Sequence, residues 1–264
     1  MKSLQIGTVR TEKRAVSIVK KRNWLSWLSM CFYPIGIFKI WRAKKRLWVK
    51  LAYTLLGLPV FLLIFGYLVI VTFSAFLPPL DRTVGHRNDK TIINSEGNYS
   101  ATFVKTGAET NGAYELVRVE LEPFGGNGWH YHSNFEESFT VLDGAVSIGQ
   151  DGTERLLNKG DSAVAHRKHM HFFKNARGKK SVILVKIAPA SGLEKTLRVA
   201  YGLINDGLLR NDMTENPWHL ALLLAYSESY LSGMPAWFQE SLINSLAKIA
   251  QWKGEDKVLY KYFK

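Results

Sequence analysis

Residues 51–80 contain no charged side chain, and the apolar part of that run, 51–77, reads LAYTLLGLPVFLLIFGYLVIVTFSAFL. Such a stretch can be hidden in only two places: the middle of a large core, or lipid. A core would need a second hydrophobic layer to cover it, and the rest of the sequence offers none. About 20 mostly apolar residues cross the hydrocarbon of a bilayer, so this run is long enough to cross with some tilt. Gly57, Pro59 and Gly66 would weaken a soluble helix but are tolerated in a membrane one. The expectation is one transmembrane helix over 51–80.

Charge sets its direction. Residues 1–50 hold thirteen Lys and Arg against one acid, Glu12, so this arm carries +12 of the chain's net +13. Basic residues stay on the cytoplasmic side, which puts the N-terminus in the cytoplasm and everything after residue 80 outside. A cleaved signal peptide has an apolar region of about 7–15 residues near its start. This one is longer and later, so an uncleaved, single-pass anchor is expected. The pI near 9.7 belongs to the arm. The arm's expected partner is therefore the lipid bilayer, at about 1 kcal/mol per Lys or Arg near an anionic surface, and not nucleic acid. Segment 23–41, NWLSWLSMCFYPIGIFKIW, lies between two basic clusters. Reading it as a second span would force five basic residues of 42–50 across the membrane. An interfacial segment anchored by Trp24, Trp27 and Trp41 fits better. Cys31 is the only cysteine, which excludes an intramolecular disulfide and a cysteine-based metal site.

The chemistry is concentrated elsewhere. Five of the seven histidines fall in two windows, GGNGWHYHSNFEESFTVLDG (125–144) and GDSAVAHRKHMHFFKN (160–175). Side chains alternate across a strand, so His130 and His132 point to one face. Glu137 shares parity with Phe139 and Val141, which should look inward, whereas Glu136 should meet solvent. His169, His171 and Phe173 share a parity, so alternation does not choose between those two histidines. Three imidazoles and a carboxylate suffice for one divalent transition metal, Fe, Mn, Ni or Zn. His86 and His219 are isolated and read as ordinary surface or packing residues.

The surrounding pattern is that of short strands. Segment 114–122 (YELVRVELE) alternates apolar and polar residues, 141–148 is interrupted by an Asp143-Gly144 turn, and 181–187 (SVILVKI) is a buried strand ended by Pro189. Asp151-Gly152 is a two-residue hairpin signal. Turn signals every eight to twelve residues suggest a sandwich or barrel. Residues 191–264 read as a helical tail. Asn216-Pro217 should cap a helix running to about residue 231. Pro235 should open another, with Phe238, Leu242, Leu246 and Ile249 near one face and an end before Gly254. Its apolar stripe must be covered by the barrel, by a second copy in a homodimer, or by the membrane surface.

The two histidine windows resemble the cupin superfamily, whose members carry G-x5-H-x-H-x3,4-E-x6-G followed by G-x5-P-x-G-x2-H-x3-N. His130, His132, Glu137 and Gly144 stand at the first pattern's spacings; Gly160, His171 and Asn175 stand at the second's. Phe124 occupies the place of the first glycine, His166 that of the proline, and Lys168 that of the second motif's internal glycine. The resemblance implies a mainly β fold, a small double-stranded β-helix or jelly-roll barrel over 91–189. It also implies the metal ligands His130, His132, Glu137 and His171, leaving His166 and His169 at the rim. Pro235, Gln239, Leu242, Tyr260 and Tyr262 are similar to a tail found in some bacterial cupin-domain proteins of no known activity.

The expected whole is a basic arm (1–50), a span (51–80), a cupin barrel (91–189) and a helical tail (191–264). Two functions fit it. One is a membrane-anchored metalloenzyme acting on a small organic molecule by oxygenase- or isomerase-type chemistry. The other is a non-enzymatic ligand- or metal-binding module, or sensor, tethered to the membrane. No catalytic base declares itself in the sequence.

Overall fold

The computed structural model describes residues 32–175, 177–211, 213–230 and 234–264. Trp24, Trp27 and Cys31 lie outside them. The chain divides into two compact units, Met1–Val69 and Ile70–Lys264.

In the first unit, α1 (Tyr33–Arg42) starts with Pro34 in its opening turn, where a missing N–H costs nothing. Helix α2 (Leu47–Ala75) is 29 residues long. Trp41 Nε1 donates to Thr54 Oγ1 at 3.0 Å, and the Tyr33 hydroxyl donates to the Thr54 carbonyl at 2.9 Å. The Tyr33 ring stacks on Phe61. Helix α2 is long and apolar enough to cross a membrane, and none of its apolar window is buried. It includes Lys50, whose ammonium reaches the Trp41 carbonyl. It ends ahead of Pro78 and Pro79, because a residue preceding proline is driven out of the helical region.

The second unit is built on β1 (Thr91–Asn94), β2 (Tyr99–Lys105), β3 (Glu115–Leu121), β4 (Tyr131–His132), β5 (Glu136–Asp143), β6 (Ala145–Gln150), β7 (Thr153–Asn158), β8 (Ser162–Ala165), β9 (His171–Lys174) and β10 (Ser181–Ala188). A six-stranded sheet runs β1-β2-β3-β10-β5-β8, and a three-stranded sheet runs β7-β6-β9. The alternation read from the sequence is realised in β3, where Val117, Val119 and Leu121 turn inward, and in β5, where Glu137, Phe139 and Val141 do. The apolar ones among these meet Ile148 and Phe173 from the smaller sheet in one core. Asp151 and Gly152 have φ of +46° and +83°, the twin positive angles of a two-residue hairpin turn between β6 and β7.

The architecture is a jelly roll, but the expected barrel is not closed. Beyond β9 the pairing thins to two isolated bridges, Gly126 with Lys174 and His130 with His171. The chain there can approach only because residue 126 lacks a side chain. A Cβ on Gly126 would lie 2.4 Å from the Phe173 carbonyl oxygen.

The tail comprises α3 (Leu193–Asn205), a short hairpin of β11 (Leu209–Arg210) and β12 (Met213–Thr214), α4 (Pro217–Ser227), β13 (Ser229–Tyr230), α5 (Ala236–Lys253) and α6 (Tyr260–Phe263). The Asn216 side chain caps α4 by accepting from the Trp218 N–H at 2.9 Å. The helix stops at Ser227, earlier than expected, because Glu228 turns left-handed and the next two residues pair with β4. Helix α5 ends at Gly254 as expected, but its buried side differs. Gln239, Ser245, Ala247 and Ala250 are buried, whereas Phe238, Leu242, Leu246 and Ile249 are only half-buried. Small residues let α5 approach α4 closely, and Ala247 and Ala250 join Leu222 and Tyr226 in a second core.

The stretch before β1, which reads like a linker, is tied down. Arg82 donates to the carbonyls of Ala225, Tyr226 and Ser191 at 2.8, 3.1 and 2.9 Å. The first two are carbonyls from the last turn of α4, which lack partners within the helix.

Candidate metal centre

His132 lies on the two-residue strand β4, Glu137 on β5, His171 at the start of β9, and His130 just ahead of β4. Their ligand atoms all fall within 4.8 Å of one another. The second motif's open choice is thereby resolved: His171 belongs to the cluster. His169 does not; it lies in the turn before β9 with Asp151 2.6 Å from its Nδ1. His166 sits at the rim beside Glu136, at 3.2 Å. Parity assigned the two glutamates correctly. Glu137 is buried and Glu136 is partly exposed.

Each clustered imidazole is held through Nδ1 by a backbone carbonyl. The acceptors are Gly128 for His130 at 2.8 Å, Ser227 for His132 at 3.0 Å, and His169 for His171 at 3.0 Å. A carbonyl can only accept, so each Nδ1 carries the proton and each Nε2 keeps its lone pair. The Nε2 atoms of His132 and His171 stand 3.6 and 3.4 Å from the two oxygens of Glu137. Both are buried without satisfying a hydrogen bond. Buried nitrogens with inward lone pairs, facing an acceptor-only carboxylate, form a set that could hold a cation.

The electrostatics agree with that donor set. Burial pushes His132 down to about 3, outweighing the attraction of Glu137, so it stays neutral. Burial works against ionising Glu137, but its contacts with His171, His132 and His130 bring it to about 2. Burial also opposes charging His171, yet its contact with Glu137 raises it above the ordinary value. The ionised Glu137 and neutral His132 are in the protonation states that metal ligation needs, whereas on His171 an ion would have to displace a proton.

One part of this arrangement has no signature in the sequence. The carbonyl that fixes His132 comes from Ser227, at the end of α4, and β13 pairs with β4 through Ser229 and His132. The tail is thus built into the site. Two of the three departures from the family pattern also find their meaning. Phe124 and Lys168 have φ of +65° and +66°, a region that favours glycine, at the two places where the pattern carries glycine. The Lys168 N–H donates to the His132 carbonyl at 2.7 Å, which holds the turn in that conformation. Asn175, the last residue of the second motif, is fully buried. Its amide donates to the carbonyls of Leu121, Glu122 and Lys179 at 3.2, 3.1 and 2.8 Å, a structural role.

A cavity of about 500 Å³ opens beside the cluster, with His130, His132 and Glu137 on one wall and helices α3 and α4 on another.

Residues 117–187 match the family described as Cupin domain. An uncharacterized protein of Aquifex aeolicus is 31% identical over 70 residues, which are 26% of this chain and 57% of that protein. Among solved structures, a predicted oxalate decarboxylase from Thermotoga maritima is 18% identical, with a TM-score of 0.36 over 40% of this chain and 98% of that one. KdgF from Halomonas sp. is 20% identical, with a TM-score of 0.34 over 37% and 84%. The polyketide cyclase RemF from Streptomyces resistomycificus is 20% identical, with a TM-score of 0.34 over 40% and 78%.

Proposed function

We propose that this chain, whose residues 117–187 form a cupin domain, is a membrane-anchored protein that binds one divalent metal through His130, His132, Glu137 and His171 and acts on a small organic molecule. The observation that carries the reading is the common tautomer of the three imidazoles. Each gives its Nδ1 proton to a carbonyl and keeps Nε2 for the centre. Such a metal supplies Lewis acidity and open positions for substrate, water or oxygen. The chain's own residues orient the ligands, keep Glu137 ionised, and shield one side of the site with the tail. Iron, manganese, nickel and zinc all suit three imidazoles and one carboxylate, so availability chooses among them.

A cavity of small-molecule size adjoins the ligand set, which supports a small-molecule ligand for the enzyme reading and equally for a ligand-binding or sensor module. Elemental analysis of the purified full-length protein after reconstitution should give close to one metal per chain. A wild-type value near zero sinks both the site and the enzyme reading. The orientation rests on the +12 arm. Protease added to cells stripped of any outer barrier should digest the cupin domain and spare the arm. Protection of the domain would reverse the topology.

A further inference from the structure

The cavity beside the three histidines is unusual in what its walls withhold. Its volume of about 500 Å³ falls within the range of sites that enclose drug-sized molecules. Val117 and Val185 face it from the large sheet, Leu197, Ala200 and Ile204 from α3, and Leu223 from α4. Among the described residues that line it there is no lysine and no arginine. Apart from Glu137 the only carboxylate is Glu96, whose Oε1 accepts from the Asn211 N–H at 2.7 Å. Two buried phenols pair within its wall. The hydroxyls of Tyr99 and Tyr201 lie 2.7 Å apart, one from β2 and one from α3, and bind each other.

Charge bookkeeping narrows the occupant. A divalent ion with three neutral imidazoles and one carboxylate carries a net charge of about +1. It can neutralise one negative charge on a ligand. A second would meet no cationic side chain, only the aliphatic wall, neutral hydroxyls and amides, and Glu96. A buried charge without a partner is strongly disfavoured. Phosphorylated sugars and other polyanions are therefore poor occupants. A mostly apolar body is favoured in proportion to the area it removes from water.

We propose that this cavity, roofed by α3 and α4, takes a predominantly apolar molecule bearing a single oxygen donor, of the aromatic-alcohol class, with that oxygen toward the metal and the ring among Leu197, Ala200, Ile204 and Leu223. The oxygen contact rests on the metal reading above. The apolar wall does not.

The test is equilibrium dialysis on the full chain in lipid nanodiscs, with empty nanodiscs subtracting partition into lipid. The probes are 2-naphthol and glucose 6-phosphate, and metal per chain is measured on the same samples. The expected result is saturable binding of one 2-naphthol per chain, with glucose 6-phosphate at least tenfold weaker. Ala200→Trp, which fills the cavity from α3, should weaken 2-naphthol at least tenfold and leave the metal content unchanged. If that variant does not fold, by circular dichroism, Ile204→Phe takes its place. Equal or tighter binding of glucose 6-phosphate overturns the proposal, as does 2-naphthol binding that ignores the filling substitution. Metal without saturable 2-naphthol sinks this inference alone. A metal-free wild type whose 2-naphthol binding still falls in Ala200→Trp keeps the apolar cavity and removes the metal reading.

Discussion

His169 and His171 are two residues apart, share a strand parity, and meet opposite fates. His171 is 1% exposed, with its Nε2 turned to Glu137. The His169 side chain is 54% exposed and pairs with Asp151 at the rim. The difference comes from where β9 begins. His171 is its first residue, in register with Gln150 and bridged to His130. His169 lies in the turn before it, where alternation no longer dictates direction. Glu136 and Glu137 show the converse. Both lie within β5, and there alternation alone separates a rim carboxylate from a central one. Period two is a property of paired strand, and it stops where pairing stops.

The sharpest way to break this contrast is to remove a central ligand. His171→Ala should lower metal affinity by about a hundredfold or more, because the remaining donors cannot complete the coordination shell. Metal per chain at limiting free metal reads it. If His171→Ala retains metal while His169→Ala loses it, the assignment is reversed. A smaller loss should follow from disturbing the carbonyl that orients His132. Ser229→Pro removes a backbone N–H next to β4 and should shift the Ser227 carbonyl. Outer partners of this kind are worth about 10–100-fold in affinity. An unchanged affinity, with circular dichroism showing intact folding, would make the tail a mere neighbour of the site.

The same inner face offers a second carboxylate for comparison. Glu115 is buried on β3 and accepts from the backbone N–H groups of Gly192, Leu193 and Glu194, where α3 begins. No imidazole stands beside it, and one of its oxygens has no hydrogen-bond partner. Burial, helped by the negative charge of Glu194, raises it to about 7. The folded state therefore holds this proton more tightly than the unfolded chain, where the value is 4.5. Stability attributable to Glu115 should fall as pH rises from about 4.5 through 7. Glu115→Gln should flatten that fall, read as a smaller drop in unfolding midpoint between about pH 5 and about pH 7.5. An identical drop in both proteins would mean that the carboxyl is not protonated when folded. The smallest effects belong to the rim. His169→Ala and Glu136→Gln should change metal affinity by less than about twofold, in keeping with exposed pairs of little energetic weight. Lys168→Gly should preserve it too, since glycine adopts the same left-handed angle without strain.

Much of this was legible from the residues because it follows local rules. The inward set of β5, the Asp151-Gly152 turn and the Asn216 cap each rest on alternation or on a residue's own conformational preference. His171 needed more: its spacing within the family pattern, since parity left His169 equal to it. What stayed hidden is long-range or carried by the backbone. The Ser227 carbonyl has no side-chain signature. Helix α3 was obscured because its buried side includes Glu194, Lys195 and Arg198. Those charges are satisfied only in three dimensions: Arg198 by Glu194 and the Asp89 carbonyl, Lys195 by the Asp81 carbonyl. On α5 the sequence's large apolar stripe was the obvious candidate for burial, but close approach to α4 selected the alanines instead.

The bond from His132 to Ser227 joins residues 95 apart. Synthesis runs from the N-terminus, so all four clustered side chains are made before the group that orients one of them exists. A nascent chain can bring His130, His132, Glu137 and His171 near one another while the imidazole of His132 is still free to swing. Its final orientation waits for α4 and β13 to dock. The contact that orients His132 therefore cannot form until α4 and β13 have been made and docked against β4.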